Sequence, residues 1–343
     1  MVLESVLSSF VQRVTTLYLE DFPPWEWMPV SLFKSSSLRE VQFQLPSRLV
    51  AGRNRFCPPL FYAGAPQHLQ TLIFCGSNDC LTSLDSSNLH SLQKLKLTDA
   101  IPLQNAWEAL SHCLHLVSLS WACSIPSDEE NIEDHFPALF GFQDLSLLHL
   151  QSLELEDDGS CSLFFGNVNA PSVRRLTLLG PTLSRIREIM EKIDHPSQIR
   201  RLDICEVRDF GEADVTTIFT LCPLLEDLRV DSWTSSSLNA LSALAEHREV
   251  DNECVWPCPS LRHLGLNFNS TVAERDSDTD LRKSMERILL HILERLAKTR
   301  ASGPQSLLRI SIENIKIELP SKNNATESIW SAVQVIDPPG DDD

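Results

Sequence analysis

Glycine is scarce in this chain: 11 of 343 residues, none of them in a G-x-G-x-x-G or Walker pattern. A phosphate-cradling loop needs glycines so that backbone amides can approach the anion, so nucleotide binding of that kind is excluded. Positive charge is also short, with 29 Lys and Arg against 47 Asp and Glu and a formal charge of −18. A nucleic-acid-binding surface clusters basic residues, so no nucleic-acid partner is expected; neutral or locally basic proteins fit better. No apolar run reaches the roughly 18–20 residues of a membrane-spanning helix, and no membrane partner is expected. The opening MVLESVLSSFVQRV carries Glu4 and lacks a basic start, which predicts a short amphipathic helix rather than a secretory signal. The hydrolase elbow G-x-S-x-G and the metalloprotease H-E-x-x-H are missing, and the ten histidines pair with no obvious nucleophile along the chain.

Three fragments approach metal chemistry without completing it. Asp276–Leu281 (DSDTDL) starts like a calcium loop, but Leu281 stands where glycine should turn the chain and Arg287 where the closing glutamate belongs. An acidic start to a long helix is the simpler reading. Cys254, Cys258 and His263 lack a fourth zinc ligand, and Cys75 with Cys80 is no closer. No metal and no cofactor is expected. Ten cysteines and no secretion signal point to reduced, buried thiols in the cytoplasm or nucleus. The sequons at Asn269 and Asn324 are then chance matches.

What the chain does have is self-similarity. The template apolar-x-x-Leu-x-apolar fits VTTLYL (Val14–Leu19), LREVQF (Leu38–Phe43), LQTLIF (Leu69–Phe74), LQKLKL (Leu92–Leu97), LVSLSW (Leu116–Trp121) and LQSLEL (Leu150–Leu155). It continues with VRRLTL (Val173–Leu178), IRRLDI (Ile199–Ile204), LEDLRV (Leu225–Val230), LRHLGL (Leu261–Leu266) and LLRISI (Leu307–Ile312). The fourth positions of these eleven hexamers lie 23 to 46 residues apart. The last three positions alternate as a short strand with one buried face. So short a strand cannot bury that face alone; stacked beside its copies in a parallel ladder, it builds a continuous leucine core. A repeat array also explains how 343 residues with 42% apolar content avoid needing one oversized core.

Parallel neighbours need crossovers, usually helical. Helical spacing occurs at Asn105–Leu114, Leu183–Ile193, Glu212–Cys222, Leu238–His247 and, longest, Asp280–Lys298, which places Leu281, Met285, Ile288, Leu289, Ile292 and Leu296 on one face. Pro223 and Pro259 are expected to stop the preceding helix, and the small cysteine before each to fit the corner. Related joints are Ala65-Pro66, Ala170-Pro171, His195-Pro196 and the proline-free Cys113. Residues 44–66 and the acidic stretch Ser124–Phe136 read as inserted, solvated loops.

The fold expected is α/β: a leucine-rich-repeat solenoid, a horseshoe with a parallel β-sheet on its concave face and helices and loops on the convex face. Residues 1–13 would be a capping or linker helix, 14–319 the repeats, and 320–343 a disordered acidic tail in which Ile329, Trp330 and Val333 could still cap the last repeat. The strand residues that alternate away from the core form the candidate protein-binding surface: Lys94, Lys96, Ser152, Glu154, Arg175, Thr177, Arg201, Asp203, Asp227, Arg229, Asp231 and His263. Arg175 and Arg201, flanked by acids, read as a basic patch suited to a mixed-charge protein.

Cys/Ala-Pro-x-Leu before the strand, LQSLELED (Leu150–Asp157) in mid-chain and helix-bearing repeats of uneven length resemble the leucine-rich-repeat region of F-box proteins, above all the divergent fungal set. The resemblance spans about residues 10–315. It implies a non-enzymatic, ribonuclease-inhibitor-like module that recognises substrates for a cullin-type ubiquitin ligase. The adaptor of that ligase would be a partner only through an F-box upstream. The first hexamer at Val14 leaves no room for an F-box, and Val2–Val14 resembles the linker that follows one. A repeat scaffold or regulator unconnected with ubiquitin is the other reading.

Overall fold

A computed structural model describes residues 13–20, 36–44, 68–75, 89–98, 107, 109–122, 144–156, 164–180, 186–205, 212–231, 248–250, 253–255, 258, 260–267, 290, 309–313 and 333–336. The expected helices at 1–13, 238–247 and 280–298 and the loops at 44–66 and 124–136 lie outside these residues, wholly or almost so. The chain divides into two compact units, Met1–Val173 and Arg174–Asp343.

In the first unit every hexamer becomes a strand that starts at its third position. The strands are β1 (Thr16–Glu20), β2 (Glu40–Gln44), β3 (Thr71–Cys75), β4 (Lys94–Thr98), β5 (Ser118–Trp121), β6 (Leu145–Ser146), β7 (Ser152–Glu156) and β8 (Val168–Asn169), of which only the two-residue β6 and β8 come from outside the hexamers. β1-β2-β3-β4-β5-β7 form a parallel ladder in that order. Its register sets the fourth hexamer residues side by side: Leu17, Val41, Leu72, Leu95, Leu119 and Leu153. Val41 onward in that row is buried, as are Phe74, Leu97, Trp121 and Leu155 of the sixth-position row. Each such side chain contributes roughly 1.5–3 kcal/mol by leaving water. Trp107 stands edge-on to Trp121, with ring centroids 6.2 Å apart.

The second unit repeats the scheme with β9 (Arg175–Leu179), α1 (Ile186–Lys192), a 3₁₀ turn (Pro196–Gln198), β10 (Arg201–Cys205), α2 (Glu212–Leu221) and β11 (Asp227–Asp231). An antiparallel pair, β12 (Arg248–Val250) and β13 (Glu253–Val255), precedes β14 (His263–Asn267), β15 (Arg309–Glu313) and β16 (Val333–Ile336). The parallel order is β9-β10-β11-β14-β15-β16, and Leu176, Leu202, Leu228, Leu264, Ile310 and Val333 share one row. Both units rest on a parallel sheet, and with α1 and α2 in the crossovers of the second the chain is α/β. The last strand lies within residues 320–343: WSAVQV (Trp330–Val335) fits the hexamer, and Val333, one of the three residues expected to cap the last repeat, pairs with Ile310 in register.

Two backbone devices recur and explain the shared register. The carbonyl of the second hexamer residue accepts two successive amides of the next rung: Arg39 from Gln70 and Thr71, Gln70 from Gln93 and Lys94, Arg200 from Glu226 and Asp227, Glu226 from Arg262 and His263. The corner before the strand closes with an i to i+3 bond, donated by Leu92 to Leu89, Leu116 to Cys113, Leu150 to Leu147, Val173 to Ala170, Ile199 to Pro196, Leu225 to Cys222 and Leu261 to Cys258. α2 ends at Leu221, Cys222 makes the closing bond to Ile218, and the exposed Pro223 follows. Elsewhere the prolines differ from the expected helix stop: Pro171 follows β8, and Pro196 opens the 3₁₀ turn, where its missing N–H costs nothing. Gly180 closes β9 with φ 123°, a backbone conformation that side chains disfavour, and its amide donates to Cys205.

Candidate functional site

Alternation along each strand turns the third and fifth hexamer residues to the face opposite the core. In the first unit that face carries Lys94 and Lys96 on β4, Ser118 and Ser120 on β5, and Ser152 and Glu154 on β7. Lys96, Ser120 and Glu154 share one row. Ser120 Oγ donates to Glu154 Oε1 at 2.6 Å, and Lys96 Nζ lies 3.7 Å from the same oxygen. Lys94 stays exposed beside Ser118, with Ser152 next along that row.

The second unit carries the denser set. One row runs Arg175, Arg201, Asp227, His263, Arg309; the next runs Thr177, Asp203, Arg229, Gly265, Ser311. Arg201 Nε donates to both Asp203 oxygens, at 2.8 and 3.2 Å, and Arg201 Nη1 lies 3.5 Å from Asp227 Oδ2. Arg229 Nε stands 3.8 Å from Asp203 Oδ1 and 3.7 Å from Asp227 Oδ1. Thr177 Oγ1 adds a long contact to Asp203 Oδ2 at 3.5 Å. Asp203 is only 8% exposed, so these donors replace the water its carboxylate has lost. The patch expected at Arg175 and Arg201 is therefore split. Arg201 is turned into the acids, while Arg175 is exposed and makes no ion pair among the described residues. Asp231, the remaining expected residue, stands on β11 in register with Asn267.

His263 links the rows. Its Nδ1 is 2.9 Å from Asp227 Oδ1, and its Nε2 is 2.9 Å from Ser311 Oγ. An ionised carboxylate only accepts, so Nδ1 carries a proton, and in the neutral ring Nε2 accepts from the serine hydroxyl. Gly265 sits between Arg229 and Ser311 because the arginine stem occupies the space: a Cβ there would come within 2.9 Å of Arg229 Cγ.

Sequence reasoning did not name Ser120, Gly265 or Ser311. The same alternation rule finds all three, since each is the fifth residue of its hexamer. Of the zinc candidates, Cys254 lies on β13 opposite Glu249 and Cys258 is buried at a corner. Burial pushes the thiols of Cys113 and Cys222 up to about 12, which keeps them neutral and poor nucleophiles. Among the described residues no helix is long and apolar enough to cross a membrane. In comparisons with known proteins, the chain matches no family model and no curated sequence.

Proposed function

We propose that the chain is a leucine-rich-repeat solenoid that recognises a protein through the open face of its parallel strands, the concave face of such a horseshoe. The observation that carries this reading is the row structure of the second unit, where Arg201, Asp203, Asp227, Arg229 and His263 hold one another in fixed positions. Side chains fixed before binding lose little entropy on association, and paired acids and bases give a mixed-charge surface selective for a complementary protein. Recognition, rather than turnover, is the main role proposed. Substrate selection for a cullin-type ubiquitin ligase, in the cytoplasm or nucleus, follows from the resemblance of the repeats to F-box proteins.

The test is capture from cell extract with the full-length gene product. Arg175→Glu on the open face should abolish retention of the bound protein, while Lys192→Glu on α1 should keep it. Equal retention by both variants overturns the surface assignment. Cullin-ligase subunits among the captured proteins support the ubiquitin link, and their absence favours the scaffold reading.

A further inference from the structure

We propose that Ser311 is a nucleophile activated by His263 and Asp227, able to accept the acyl group of a carboxylic ester. The reading goes beyond binding and does not depend on it. Nucleophile, base and orienting carboxylate are recognised by geometry, not by chain order. Here Ser311 Oγ to His263 Nε2 and His263 Nδ1 to Asp227 Oδ1 are both 2.9 Å. The three residues come from β15, β14 and β11, adjacent parallel rungs whose register places them on one face. Strands hold a site more rigidly than loops do. Asp227 is itself held by Arg201 and Arg229, at 3.5 and 3.7 Å. Ser311 is recessed at 6% exposure, while the His263 side chain keeps 22%.

In the reaction the Ser311 hydroxyl proton passes to His263 Nε2 as Oγ bonds to the ester carbonyl carbon. The tetrahedral adduct collapses, its C–O bond to the alkoxy group breaks, and the departing alcohol takes the proton from the imidazolium. Water, deprotonated by His263, then releases the acid and restores the serine. The sum is ester plus water to acid plus alcohol. The strand amides around Ser311 are committed to the ladder, so the oxyanion must be met by side-chain cations. Arg229 lies across Gly265 in the same row, and Arg309 two residues earlier on β15.

The test uses the full chain and a fluorophosphonate probe, with the adduct mapped by peptide mass. Labelling on Ser311 is expected, removed by Ser311→Ala and slowed on the order of 100-fold in His263→Gln, as loss of a general base requires. Circular-dichroism melting of each variant confirms that it is folded. Absence of label on wild-type Ser311, or the same labelling rate in folded His263→Gln, overturns the proposal. Asp227→Asn is the second variant: an amide, which can donate as well as accept, no longer fixes the proton on Nδ1, so labelling should slow in the folded variant, and an unchanged rate overturns the role of Asp227.

Discussion

The thiol of Cys258 donates to the carbonyl oxygen of Cys222, at 3.7 Å across 36 residues of chain. The two corners are neighbours on successive rungs, and the repeated letters mark the same turn, in which Leu225 donates to Cys222 and Leu261 to Cys258. Both cysteines are buried, and Cys258 adopts φ 47°, which an L-residue tolerates only under constraint.

Alkaline stability follows from the buried thiols. Cys113 and Cys222 are raised from 9.0 to about 12 in the fold. A raised value means that the stabilisation is complete below pH 9 and is lost as pH climbs from 9 towards 12, because only the unfolded thiol ionises there. Each thiol should cost on the order of 1.4 kcal/mol per pH unit in that window. Urea midpoints between pH 8 and pH 11 check this, and the slope should flatten in Cys113→Ala and again in Cys222→Ala.

Leu224 and Leu225 are consecutive, yet Leu224 is 40% exposed and Leu225 fully buried. Leu225→Ala should lower unfolding free energy by about 2–5 kcal/mol. Leu224→Ala should stay within about 0.5 kcal/mol of wild type. Equal effects in denaturant titration would remove the assigned corner.

Arg200 and Arg201 offer a second adjacent contrast. Arg200 pairs with Glu226 at the surface, where an ion pair contributes about 0–1 kcal/mol. Arg201 is a principal donor to the nearly buried Asp203, and Arg201→Ala should cost about 1–3 kcal/mol by leaving that carboxylate short of donors. Thermal melts of the two alanine variants decide which arginine matters.

Gly265→Ala should destabilise the protein by about 1–3 kcal/mol, because the new methyl meets the Arg229 stem rather than empty space. Arg229→Ala removes the obstacle, so the double variant should lose less than the two single losses added together. A double-mutant cycle in urea measures that difference.

How much was readable in the chain depends on the range of the interaction. All eleven hexamers lie on strands, and WSAVQV, set in a polar, aspartate-ended tail, carries the same pattern on β16. The helical patterns at Leu183–Ile193 and Glu212–Cys222 contain α1 and α2. The open face was also legible as a set of residues, because alternation names them. Their pairing was not: Thr177 meets Asp203 across 26 residues, His263 meets Asp227 across 36 and Ser311 across 48.

By itself, then, the sequence determined where strands form and which face each buries, since period, apolar spacing and corner chemistry are local properties of the chain. Only the tertiary structure decided which rung stands beside which, that Arg201 turns onto Asp203 rather than outward, and that a serine, a histidine and an aspartate from three rungs meet at hydrogen-bond distance. Such contacts depend on register and rotamer across long stretches of chain, which the packing of whole rungs settles together.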